Sequence, residues 1–256
     1  MKVLSSGCFK GSRAYNDDII GILNNMWYVC DGSTALFNNN KFSDTSDLSE
    51  YMQMLNKEIK NDGDISLSIK NAIVRVNEQL PALDEYQEYE LPTYTVAGIC
   101  EQDDKLLTYI LCDCLISILF KDGSVLNLED RRIDPSKIEC IEGKKSIMAL
   151  DGISDDVRKD LLLKNEQTIR MGVNKNGGYP VGSTKPESLD QGYNNAFYKK
   201  DIDRVLICSD GYYDGLGSVP SDKNDFEKDV VEERVQKILA HEKRDDMSYI
   251  LLEVER

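Results

Sequence analysis

Two short apolar runs near the start of the chain, Ile19–Leu23 and Met26–Cys30, are separated by Asn24-Asn25. Asn tolerates the positive φ that two-residue turns need, so this pattern predicts a β-hairpin. A polar stretch, Phe37–Ser43, reads as a loop. Beyond it the period changes. Leu48, Tyr51, Met52, Leu55 and Ile59 recur at spacings of three and four within Ser46–Lys60, as do Ile65, Ile69, Ile73, Val76 and Leu80 within Asp64–Leu80. Both stripes predict amphipathic helices that bury one face in the core. Asp62-Gly63 breaks the chain between them, and Asp64 is placed to cap the second.

Pro81–Pro92 reads as an acidic linker with three tyrosines. Four β-patterned runs follow, Tyr94–Cys100, Lys105–Cys112, Leu115–Phe120 and Val125–Leu128, with turns at Gln102-Asp103-Asp104 and Asp122-Gly123. Pro135–Val173 reads as mixed helix, clearest over Asp155–Asn165, and Asn174–Gly192 as a loop rich in Gly, Ser and Pro. Arg204–Cys208 has the pattern of a buried strand, Asp225–His241 of a helix, and Met247–Val254 of a last strand. Antiparallel hairpins with helices inserted between them predict an α+β arrangement: two packed sheets with helices outside, in one domain over residues 1–256.

Composition narrows the function classes. The chain has 256 residues, 41% hydrophobic and 30% charged, which suits a soluble globular protein. A net charge of −15 disfavours nucleic acid or an acidic membrane surface as partner. No apolar run approaches the roughly 20 residues of a membrane span, and the N-terminus is too short in apolar core for a secretory signal. Cysteines inside apolar runs (Cys30, Cys100, Cys112, Cys208) fit buried thiols in a reducing, cytoplasmic setting. Cys112-x-Cys114 lacks the second pair of a zinc site. His241 is the only histidine and falls in a charged stretch after a helical pattern, so it reads as a solvated helix end and imidazole chemistry is disfavoured.

Aspartates mark the strand ends. Asp17-Asp18 stands at the entry of the first hairpin strand and Asp31-Gly32 at the exit of the second, which brings them to one rim with Arg13 nearby. Asp210 and Asp245 stand at later strand ends, and Asp113 at the break between two mid-chain strands. Asp62, Asp122 and Asp151 also precede glycine but need only a turn explanation. Asp31 and Asp210 differ, since each directly follows a buried-strand run. Clustered carboxylates repel unless a cation lies between them, and oxygen ligands without His or Cys select Mg²⁺ or Mn²⁺. Such a pair of ions activates water for in-line attack on phosphorus, and Arg13 is suited to grip phosphate oxygens bidentately.

Four ordered segments carry a family resemblance: R-x-x-N-D-D at 13–18, V-C-D-G at 29–32, L-I-C-S-D-G-Y-Y-D at 206–214 and R-D-D-M-S-Y-I-L at 244–251. They resemble the motifs of the metal-dependent, type 2C serine/threonine protein phosphatases. Leu91–Leu119 is similar to the family's mid-chain block, and the loop around Gly177–Gly192 to a segment of some bacterial members.

The resemblance implies an αββα sandwich with a metal pair in a cleft at one end of the sheets. It implies that Asp31 bridges both ions, that the Gly32 carbonyl binds one, and that Asp210 and Asp245 hold the second. Asp18 acts through metal-bound water, Asp113 with Asp210 can hold a third, weaker ion, and Arg13 binds the substrate phosphate. A metal-bridging hydroxide is then the nucleophile, and the substrate is a phosphoserine or phosphothreonine protein in a signalling pathway. A monomer is expected. The chain departs from the family at Asp17 (usually Glu), Ser33-Thr34-Ala35, Cys112-Asp113-Cys114 and Asp246 (usually Asn), and lacks any family histidine serving as leaving-group acid. The altered turn at Ser33–Ala35 motivates an alternative, a phosphatase-like binding or regulatory module with little turnover.

Overall fold

A computed structural model describes residues 1–33, 36 and 40–255. Thr34, Ala35 and the first part of the expected loop, 37–39, lie outside the described residues. The strands are β1 (Lys2–Phe9), β2 (Ile19–Leu23), β3 (Met26–Gly32), β4 (Thr93–Gln102), β5 (Lys105–Leu111), β6 (Leu115–Phe120), β7 (Val125–Glu129), β8 (Gly182–Ser183), β9 (Tyr193–Tyr198), β10 (Ile202–Cys208) and β11 (Met247–Glu253). The α-helices are α1 (Asp47–Glu58), α2 (Ile65–Gln79), α3 (Asp134–Met148), α4 (Asp155–Arg170), α5 (Asp210–Tyr213) and α6 (Lys228–Leu239).

The strands form two antiparallel sheets, ordered β1-β11-β10-β6-β7 and β2-β3-β4-β5-β9, with the short β8 on β4. Period-two alternation sorts side chains into layers. Trp27, Val29, Ala97, Ile99, Ile116, Val205, Ile207 and Ile250 fill the space between the sheets. On the outer face of one sheet, Met26, Tyr28, Cys30 and Val96 meet Tyr51, Leu55, Ile69 and Ile73 of α1 and α2. On the outer face of the other, Leu206, Cys208, Tyr249 and Leu251 meet Val231, Val235 and Ile238 of α6. The result is the αββα layering expected from the sequence. A fully buried Ile or Leu in such a layer contributes about 1.5–3 kcal/mol over its exposed state.

Local signals explain most boundaries. The β2–β3 turn places Asn25 at φ 60. Ser46 caps α1 by accepting from Ser49 N at 3.2 Å, and Asp64 caps α2 by accepting from Leu67 N at 2.8 Å. Pro81–Pro92 is not a free linker. It folds into two 3₁₀ turns, Pro81–Glu85 and Glu88–Glu90, and Leu83 and Leu91 enter the core beside α1 and α2. The expected loop at 174–192 likewise holds β8 and a 3₁₀ turn at Pro186–Gln191, with Leu189 buried. β1 and β9 lie on sheet edges where no apolar alternation announces them. α3 buries no residue and packs mainly on α4, so these two form a hairpin over one end of the sandwich.

Candidate metal centre

The hairpin sets the site. Ile19 pairs with Cys30 across β2–β3, and Gly32 N donates to Asp17 O at 3.2 Å, so the Asp17-Asp18 and Asp31-Gly32 steps lie side by side. A Cβ on Gly32 would stand 2.6 Å from Asp17 O, which is why no side chain fits there. Gly211 is constrained in the same way, because a Cβ would meet Asp246 O at 1.9 Å. That close approach draws the start of α5, and with it Asp210, against the chain entering β11.

Asp18, Asp31 and Asp210 come together. The Asp31 carboxyl is within hydrogen-bonding reach of both Asp18 and Asp210. Burial, then the charges of Asp18, Asp210 and Asp113, push Asp31 well above the usual carboxylate range. Asp18 is pushed up to about 7, chiefly by burial, against the opposing hydrogen bonds of Ser248 and Ser209. Asp210 also rises to about 7, through burial and then the Asp113 charge, with Lys137 pulling the other way. Three acids that resist ionising together are a site held in electrostatic tension.

Asp245 sits further out. Arg13 forks onto it, Nη1 at 3.4 Å from Oδ1 and Nη2 at 3.5 Å from Oδ2, with both side chains exposed at the rim. Asp113 occupies the β5–β6 turn, where Cys112 adopts φ 65. That turn is held by Cys112 N donating to Asp130 Oδ2 at 2.9 Å and by Tyr213 Oη donating to Asp113 O at 2.5 Å. Asp130 is buried and paired with Arg132 at 2.6 Å. Lys137 of α3 reaches Asp113 Oδ2 at 2.9 Å and Asp210 Oδ2 at 3.7 Å.

Several contributors escaped the sequence reading. Ser209 and Ser248 donate to Asp18 Oδ2 at 2.9 and 2.6 Å. Asp246 is buried and accepts from Gly11 N at 2.6 Å and Asp17 N at 2.8 Å, so this departure from the family pattern is a staple between two distant segments. Asn16 accepts from Asp18 N at 3.1 Å. His241 is exposed just past α6, as expected, yet it lines a recess with Asp210, Asp214 and Asp245. No local signal distinguishes Ser209, Ser248 or Asp246, because each acts on a partner remote in sequence.

The residues fit a divalent cation. Oδ1 of Asp18 and Oδ1 of Asp17 are buried without a hydrogen-bond partner. A lone pair removed from water and left unmatched favours a cation beside it. Among the described residues no three acidic, thiol or imidazole groups form a ready-made ligand cage. The donors are oxygens, which select hard ions.

No family model and no curated protein matches the sequence. Solved structures do match across nearly the whole chain. The serine/threonine phosphatase Stp1 from Staphylococcus aureus aligns with 100% of this chain and 96% of its own, at TM-score 0.60 and 15% identity. The catalytic domain of the serine/threonine protein phosphatase PstP, in complex with two manganese ions, covers 98% of this chain and 97% of its own, at TM-score 0.59 and 11% identity. The fold is that of the bacterial type 2C serine/threonine phosphatases. PppA, a regulatory component of type VI secretion in Pseudomonas aeruginosa, shares this type 2C fold at TM-score 0.56 and 13% identity, with 96% of this chain and 95% of its own covered.

Proposed function

We propose that the protein is a Mg²⁺- or Mn²⁺-dependent phosphatase of phosphoserine and phosphothreonine proteins. The supporting observation is the Asp18–Asp31–Asp210 group, three acids drawn to one end of the type 2C sandwich with an unmatched buried oxygen on Asp18. Asp31, central among the three, would be a direct ligand of such ions. Gly32, Asp210 and Asp245 would complete the direct ligands, with Asp18 behind them, its carboxylate fixed by Ser209 and Ser248. Asp113 belongs to the same acidic corner. Bound there, divalent ions would supply the Lewis acidity that makes water a nucleophile near neutral pH.

The chain's own residues do the rest. Arg13 stands at the rim with its guanidinium aimed along Asp245, and a phosphate dianion presented there can take over the same fork of donors. The sandwich layers exclude water from behind Asp31 and Asp18, which strengthens every charge interaction at the cleft floor. We take residues 1–256 as one catalytic domain, supported by core layers that run without interruption from β1 to β11. All seven cysteines are free, which supports a reducing, cytoplasmic compartment. No described helix is long and apolar enough to cross a membrane.

Hydrolysis of p-nitrophenyl phosphate and of a phosphothreonine peptide, with Mn²⁺ against EDTA and with Asp210→Asn as control, tests the reading. Metal-dependent turnover lost in the variant supports it. A protein that binds Mn²⁺ and turns over neither substrate is a binding module instead.

A further inference from the structure

The acidic corner formed by Asp113, Asp210 and Asp214 already contains a cation of the chain's own. Lys137 Nζ lies 2.9 Å from Asp113 Oδ2 and 3.7 Å from Asp210 Oδ2, and Asp214 adds to the same field. A cleft of ≈ 510 Å³ lined by Asp113, Glu129, Asp134, Lys137 and Asp214 opens beside it.

The lysine is brought there for its charge, because neither of the other usual reasons applies. Core packing does not carry it, since α3 buries none of its residues. Helix electrostatics oppose it: Lys137 stands in the opening turn of α3, where the positive end of the helix dipole disfavours a cation. The carboxylates, for their part, do not depend on it for position. Tyr213 and the Asp130–Arg132 pair hold the Asp113 turn, and Gly211 packing on Asp246 places Asp210. Burial works against the Lys137 ammonium, yet Asp113 and Asp210 outweigh it and keep its pKa above the ordinary lysine value.

We propose that Lys137 is the resident cation of this corner, so that the protein takes a pair of divalent ions and is closed to a third. The ammonium engages Oδ2 of Asp113 and faces Oδ2 of Asp210, the lone pairs that another ion would have to use. One positive charge on a tether takes the place of a third ion whose occupancy would otherwise follow the free ion concentration. The inference rests on the metal-dependent reading above.

Equilibrium dialysis against Mn²⁺, followed by metal analysis of the protein, tests it with the full-length chain, Lys137→Met and Lys137→Arg. Methionine matches the lysine side chain as far as Cε and removes both charge and donor. The expected result is two Mn²⁺ in the parent chain and in Lys137→Arg, and one more in Lys137→Met. Equal counts in the parent and Lys137→Met, or three in the parent, would overturn the proposal. Asp113→Asn provides a second arm should Lys137→Met fail to fold. It should leave the parent count unchanged if Lys137 already holds Asp113, and loss of one ion would overturn the proposal. If the parent binds no Mn²⁺ at all, the metal-dependent reading falls first and this proposal with it, a result distinct from equal, non-zero counts.

Discussion

Ser248 donates to Asp18 Oδ2 at 2.6 Å across 230 residues of chain. That hydroxyl and Ser209 together hold Oδ2 of this buried carboxylate. Removing such a supporting donor from a metal site typically weakens metal binding 10–100-fold. Ser248→Ala is therefore expected to raise the Mn²⁺ dissociation constant by about that factor. Calorimetric titration checks it, and an unchanged constant would remove Asp18 from the centre.

Asp246 accepts two backbone N–H bonds, from Gly11 and Asp17. Asparagine at this position offers one acceptor and turns an NH₂ toward the other amide. Asp246→Asn is expected to lower stability by about 1–3 kcal/mol, the cost of a buried donor left unmatched. Urea unfolding in EDTA measures this without reference to activity. A neutral result would show that the staple tolerates the family's usual residue.

In EDTA, stability should fall as pH rises from about 4 to about 7. Asp18 and Asp210 titrate near 7 in the folded chain, and Asp31 is raised as well. The unfolded carboxyls titrate near 4. Between those values the folded chain holds protons that the unfolded chain has released, so each pH increment favours unfolding. Acids with lowered values, such as Asp225, act with opposite sign, and only at lower pH. Melting curves at pH 5 and 8, repeated with Asp31→Asn, isolate the site. A profile that Asp31→Asn leaves unaltered would show the three acids to be electrostatically independent.

Asp31→Asn and Asp210→Asn should reduce turnover to the level of the EDTA control while melting higher than the parent in metal-free buffer, because repulsion is relieved. Near-normal metal-dependent turnover in either variant would refute the ligand assignment.

Arg13 is exposed and its counter-ion is at the rim. Arg13→Ala is expected to raise KM for p-nitrophenyl phosphate more than it lowers kcat, the signature of lost ground-state binding. An unchanged KM would place the phosphate elsewhere.

How far the sequence spoke depends on the range of the interaction behind each feature. Asn24-Asn25, the Asp64 cap and the stripes of α1 and α2 are local devices, and they read correctly. The layered fold followed from them, because alternation in β3, β4, β10 and β11 decides which side chains face the other sheet. β1 was silent because Ser5 and Ser6 interrupt its apolar pattern, and β9 because YNNAFY is an exposed edge strand. At the site, Asp31 and Asp210 stood out as charges ending buried strands. Ser209, Ser248, Asp246 and Lys137 did not. A serine or lysine has no distinguishing neighbourhood until folding brings a carboxylate to it from a distant part of the chain.

The staple at Asp246 has a consequence in time. β1 has β11 as its only hydrogen-bonded strand neighbour among the described residues, and the segment from Gly11 to Asp18 is anchored by Asp246 and Ser248, 235 to 229 positions later. Translation proceeds at about 5–20 residues per second, and domains complete themselves as units. A chain still on the ribosome can pair β2 with β3 and β4 with β5 against α1 and α2, yet the Asp17–Asp18 rim waits for Asp246 and β11 to emerge. A chain that stops short of Asp246 therefore lacks the anchors that hold Gly11, Asp17 and Asp18 in place, and its acidic corner stays unassembled.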